Sequence, residues 1–113
     1  MEQQLAKNLS LDSAAATGPV SEVSQPVAMT GGNAVQGSAV MQALTATNVS
    51  CQLQESNDLE NWSDKGSATT ATVVGYKVLT AVTAISGAYV RMKYTITGTG
   101  KAILACTLSV SQL

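Results

Sequence analysis

From residue 88 onward the chain alternates. In AYVRMKYTITGTGKAILACTLSV, Val90, Met92, Tyr94 and Ile96 are interleaved with Tyr89, Arg91, Lys93 and Thr95. A period of two puts apolar side chains on one face of a strand and polar ones on the other. After Gly98-Thr99-Gly100 the pattern resumes with Ala102, Leu104, Cys106, Leu108 and Val110. These features predict a hairpin whose glycines supply the positive φ of a short loop. Ile96 would then face Ala102, Tyr94 would face Leu104, Met92 Cys106 and Val90 Leu108, all on one side of the sheet.

The same period recurs upstream. Val40 to Thr47 is a candidate strand with neither side strongly polar, and Asn48 is a short turn after it. Val49, Cys51 and Leu53 then alternate with Ser50, Gln52 and Gln54. Thr69 to Thr80 carries Val73, Val74, Tyr76, Val78 and Leu79, with Gly75 marking a bulge or bend. Ala81 to Ile85 either continues that strand or crosses to another sheet, and Ser86-Gly87 turns the chain into the final pair. Five or six short strands without a helical period predict an all-β fold, an antiparallel β-sandwich of jelly-roll or immunoglobulin-like type. With no phenylalanine, its core is expected to hold Val, Leu, Ile, Met and Ala, with Trp62, Tyr76 and Tyr94 as the aromatics.

Residues 1–34 break the pattern. They contain Pro19, Pro26, an Ala14-Ala15-Ala16 run and Gly31-Gly32-Asn33, while Leu5, Leu9 and Leu11 sustain no helical period. The expected organisation is an extended N-terminal arm over 1–34 and a β-sandwich domain over 35–113. Val20, Val23, Val27 and Met29 are more apolar than a solvated linker requires. They are the candidate contacts of an arm that orders against a partner.

Composition narrows function. A chain of 113 residues is one domain by length. Charged residues make up 12% of it, against about 25% in an average domain, so Ser, Thr, Ala, Gln and Asn must cover much of the surface. A net charge of -1 offers no handle for nucleic acid or an anionic membrane. No apolar run approaches the ~18 residues of a membrane span, and the first residues lack the apolar stretch of a signal peptide. Arg91, Lys93 and Lys101 are three charges without interleaved aromatics, which is no nucleic-acid surface. There is no histidine, no phosphate-cradling glycine motif and no base beside either cysteine. No catalysis, cofactor or metal is expected. Cys51 and Cys106 lie on apolar strand faces and are expected as buried free thiols. Together with Trp62 they imitate the Cys…Trp…Cys order of immunoglobulin domains, but Leu104 stands where that pattern needs tyrosine.

The stretch 55–66, ESNDLENWSDKG, gathers Glu55, Asp58, Glu60 and Asp64 around the chain's one tryptophan. Three readings fit it. One is a loop pinned by the indole with its acids in solvent. A second is a calcium loop, which the spacing disfavours because Ser63 occupies the position where an EF-hand needs glycine. The third is a sugar platform made of Trp62 flanked by Asn57 and Asn61.

Ser56-Asn57-Asp58 followed by Trp62, then Tyr89-Val90-Arg91 and the Thr97–Gly100 turn, resembles small β-sandwich structural proteins of tailed-bacteriophage virions. The likeness covers residues 49 to about 111. It implies a capsid decoration, or cement, protein on the virion surface that binds the major capsid protein, commonly as a homo-oligomer such as a trimer. A carbohydrate-binding adhesin or a tail-associated protein would share the sandwich.

Overall fold

The computed structural model describes residues 2–12, 20–79, 81–83 and 85–111, with side chains from residue 21 onward. Its strands in chain order are β1 (Glu2–Asp12), β2 (Val20–Val23), β3 (Val27–Ala28), β4 (Ala34–Leu44), β5 (Asn48–Ser56), β6 (Ser63–Asp64), β7 (Thr69–Ala71), β8 (Gly75–Val78), β9 (Tyr89–Thr97) and β10 (Lys101–Ser111). They form two antiparallel sheets that pack face to face, and no described residue is helical. One sheet, here called the β10 sheet, runs β1-β10-β4-β8. The other, the β9 sheet, runs β2-β9-β5-β6, with β3 also on β9 and β7 also on β5. The β-sandwich expected from the alternation is therefore the observed fold.

The predicted faces are correct and the predicted pairing is not. Val90, Met92, Tyr94 and Ile96 are all buried, as are Ala102, Leu104, Cys106, Leu108 and Val110. Yet β9 and β10 belong to different sheets: Ile96 lies beside Val49, and Ala102 beside Leu44. The Gly98–Gly100 turn is a corner that carries the chain across the sandwich. The β4–β5 connection at 45–47 is a second such corner, and the two lie against each other. The Thr45 N–H donates to the Lys101 carbonyl at 2.8 Å, and the Thr47 N–H to that of Thr97 at 3.0 Å. In return the Lys101 N–H reaches the Thr45 hydroxyl at 2.9 Å. Gly98 and Gly100 have φ of 87° and 148°, and a Cβ at Gly100 would meet the Thr45 and Ala46 backbone at 2.8 Å. Glycine is required there for conformation and for space.

The 69–80 stretch also divides. Its first part pairs with β5 and its second with β4, so the chain changes sheets before Gly75. Val82 then forms an isolated bridge with Val35. Tyr76, expected in the core, is 67% exposed; Trp62 is half-buried at its margin and Tyr94 is fully enclosed.

The expected boundary at residue 34 has no counterpart in the strand pairing. β1 lies along nearly the whole of β10, while β2 and β3 lie along β9. Val27 and Met29 are 2% and 3% exposed within the common core. Pro26 and the glycines interrupt the segment without detaching it, because short strands on either side still find open edges.

Candidate functional site

The turn that leaves β5 is organised by its own side chains. The Ser56 hydroxyl accepts from the N–H groups of Asp58 and Leu59 at 3.2 and 3.0 Å. The Asp58 carboxylate accepts from the N–H groups of Glu60 and Asn61 at 2.9 and 2.8 Å, and from the Asn61 side-chain amide at 2.7 Å. This is an Asx-type turn, and it holds Leu59 at φ 65°. Backbone donors from Asn61 and Glu60, then the side chains of Asn61 and Ser56, hold the Asp58 carboxyl well below the usual carboxylate range.

The turn is tied to the approach to β9. The Glu55 carboxylate accepts from the N–H groups of Ser86 and Gly87 at 3.2 and 3.1 Å. The Asn57 side-chain carbonyl accepts from the Ala88 N–H at 3.0 Å. Beneath them Gln54 is buried. Its carbonyl accepts from Arg91 Nε at 2.8 Å and its amide donates to Asp64 at 2.9 Å. Arg91 in turn lies 4.3 Å from the centre of the Trp62 ring, a cation–π contact worth roughly 0.5–1 kcal/mol at an exposed site. The Trp62 indole N–H donates to the Leu59 carbonyl at 3.3 Å. Gln54 escaped the sequence reading because a polar residue on an alternating strand is assigned to solvent. Nothing in the sequence marks it, because its adjacency to Arg91 comes from the β5–β9 register.

Asn57, Asn61 and Trp62 thus share one turn, but Asn57 is held by the Ala88 N–H, the Asn61 amide and the indole N–H are engaged within the turn, and one face of the indole is under Arg91. The other candidate group does not converge. Val27 and Met29 are in the core, Val23 is exposed on the β9 sheet, and Val20 pairs with Ile96. Arg91 and Lys93 project from β9, whereas Lys101 opens β10 in the other sheet.

Inside the sandwich, Tyr94 lies beside Cys51 in register, with Cys106 reaching it from the opposite sheet. Both cysteines are free and buried. Burial, with the neighbouring Cys106, pushes the Cys51 thiol up to about 12. Burial likewise raises Cys106, and raises Tyr94 far above the phenol range. Among the described residues the Tyr94 hydroxyl has no hydrogen-bond partner of good geometry; the thiols around it are weak ones.

A second surface was not foreseen. Val73, Val74, Tyr76 and Val78 are exposed along and before β8, next to Val40 on β4. A shallow groove continues from them, lined by Gln36, Ser38, Tyr76, Val78, Thr107 and Ser109.

By sequence the chain matches no family model and no curated protein. Among solved structures it is similar to the crystal structure of PBSX exported protein XepA, with a TM-score of 0.75 and 16% identity. The likeness covers 100% of this chain and 37% of that one, so the chain spans little more than a third of that protein's length. At such identity the shared property is the fold.

Proposed function

We propose that this chain is a structural protein of a phage-type particle, with head decoration as its specific role and the major capsid protein as its partner. The observation that carries this reading is the meeting of the two segments on which the virion resemblance rests. Asn57 holds Ala88, Glu55 holds Gly87, and Trp62 stacks on Arg91, joining Ser-Asn-Asp…Trp to Tyr-Val-Arg as one unit. The fold likeness to PBSX exported protein XepA supports the coarser part of the reading. Few charges mean few ions to desolvate in a wide protein contact, which suits binding rather than catalysis. The adhesin reading draws less support, since Arg91 covers one face of the Trp62 ring and Asn57 and Asn61 serve the turn.

Immunogold labelling of purified particles tests the proposal. Label over the heads is the expected result. Label confined to tails would move the role to a tail-associated protein, and chain found solely in the soluble fraction would defeat the reading. A glycan array showing specific binding that Trp62→Ala abolishes would favour the adhesin.

A further inference from the structure

The β10 sheet ends at β8. Among the described residues β8 pairs with β4 alone, so the far side of its main chain presents N–H and C=O groups to solvent. Such an edge is a template for another strand. The side chains around it are apolar: Val73 is 72% exposed, Val74 58%, Tyr76 67% and Val78 57%. Clusters of this kind, unlike scattered single residues, mark contact sites. We propose that β8 is the strand through which two copies of this chain pair, antiparallel about a two-fold axis at Tyr76.

The register follows from charge and space. Continuity of the sheet requires outward-facing residues to meet outward-facing ones. Tyr76 faces outward with its partner Val40, and Lys77, beside Ala39, has the opposite sense. A two-fold axis at Lys77 would set like charges directly opposite, which is destabilising. An axis at Tyr76 instead places Lys77 opposite Gly75 of the second copy. A Cβ built on Gly75 meets nothing within 4 Å, so the Lys77 stem has room to lie across it. Tyr76 then packs on its own symmetry mate, and Val78 comes beside Val74. The patch is thus complementary to itself, as an isologous contact must be. The outer face next to β8 supplies Gln36, Ser38 and Val40 on β4 with Ile103 and Thr107 on β10, none of them charged; Lys101 of that face lies at the end of β10 beyond Leu44, so a second copy approaches β8 without covering it. The four-stranded sheet would become a continuous sheet of twice that size. This pairing does not depend on which particle carries the chain.

A contact built on so short a strand belongs with small, concentration-dependent interfaces. Light scattering is expected to show a mass rising from the 11.5 kDa of the chain towards twice that value as concentration increases. Tyr76→Glu is expected to raise the dimer dissociation constant at least about tenfold, while Lys93→Glu on the other sheet leaves it unchanged. Circular dichroism and the urea midpoint check that both variants fold, as the exposure of residue 76 implies. Mild oxidation gives the register. Tyr76→Cys is expected to cross-link into a dimer, because residues directly opposite in an antiparallel pair lie within disulfide reach. Val78→Cys alone is expected not to cross-link, and Val74→Cys with Val78→Cys to cross-link. A monomer at every concentration, a closed ring larger than a dimer, or cross-linking by Val78→Cys in place of Tyr76→Cys would each overturn the proposal.

Discussion

The outer faces of the two sheets are built differently. On the β9 sheet, Arg91, Lys93, Gln52, Gln54 and Thr95 form a polar surface, and all of these side chains except Lys93 are shown bonded to neighbouring side chains or main chain. Gln54 joins Arg91 to Asp64, Gln52 donates to the carbonyls of Lys65 and Gly66, and Ser21 bonds Thr95. On β4, β8 and β10 the outer face is uncharged apart from Lys101 at the start of β10, and its large side chains, Val40, Tyr76, Val78 and Ile103, are exposed. One face spends its polar groups on fixing a turn. The other leaves apolar area unused by the fold. Stability and association should therefore respond to different sets of substitutions.

The largest effect should come from removing what both faces rest on. Deleting residues 1–30 takes away β1, β2 and β3 together with buried Val27 and Met29, at a cost on the order of 4 kcal/mol or more. A urea midpoint left unchanged by the deletion would restore the detached arm. Next comes alkali. Cys51, Cys106 and Tyr94 all have raised folded-state values, so the unfolded chain loses these protons first and stability falls as pH rises. The loss begins near the ordinary thiol value of 9.0 and for Cys51 continues to about 12, at up to about 1.4 kcal/mol per pH unit for each group. Urea midpoints between pH 7 and 11 should fall accordingly, and Cys51→Ala should flatten the decline.

The comparison itself is sharpened by two truncations. Gln54→Ala leaves Arg91 and Asp64 without their shared partner beside a buried site and should cost about 1–3 kcal/mol. Tyr76→Ala, in dilute solution, should change stability by no more than about half a kcal/mol. Equal costs at the two positions would mean that the faces do not differ as described.

The sequence was legible where burial alone decides the pattern. Alternation in 90–96 and 102–110 identified nine inward positions, all of them buried. It could not identify neighbours, because a hairpin and a corner between sheets direct the same side chains to the same core. What separates them is the contact of Gly98 and Gly100 with residues 45–47, some fifty positions away. The β8 region misled for a related reason. Val73, Val74 and Val78 look like core by composition, yet of residues 72–79 only Leu79 is buried, since the sheet ends there. In the 54–64 turn, Ser56, Asn57, Asp58 and Trp62 were visible as a motif. Gln54 was not, because its role depends on two partners supplied by other strands.

The place of β10 also has a consequence for how the molecule is made. This strand lies between β1 and β4 and is the only one β1 pairs with among the described residues. On a translating ribosome, the first strand must therefore wait for residues 101–111 to emerge before it acquires a hydrogen-bonding neighbour. Pairing so distant in sequence is slow, on the millisecond-to-second scale typical of β-sandwiches. The β10 sheet is for this reason the later of the two to close, and until it does the nascent chain carries unpaired apolar strands that a chaperone could hold.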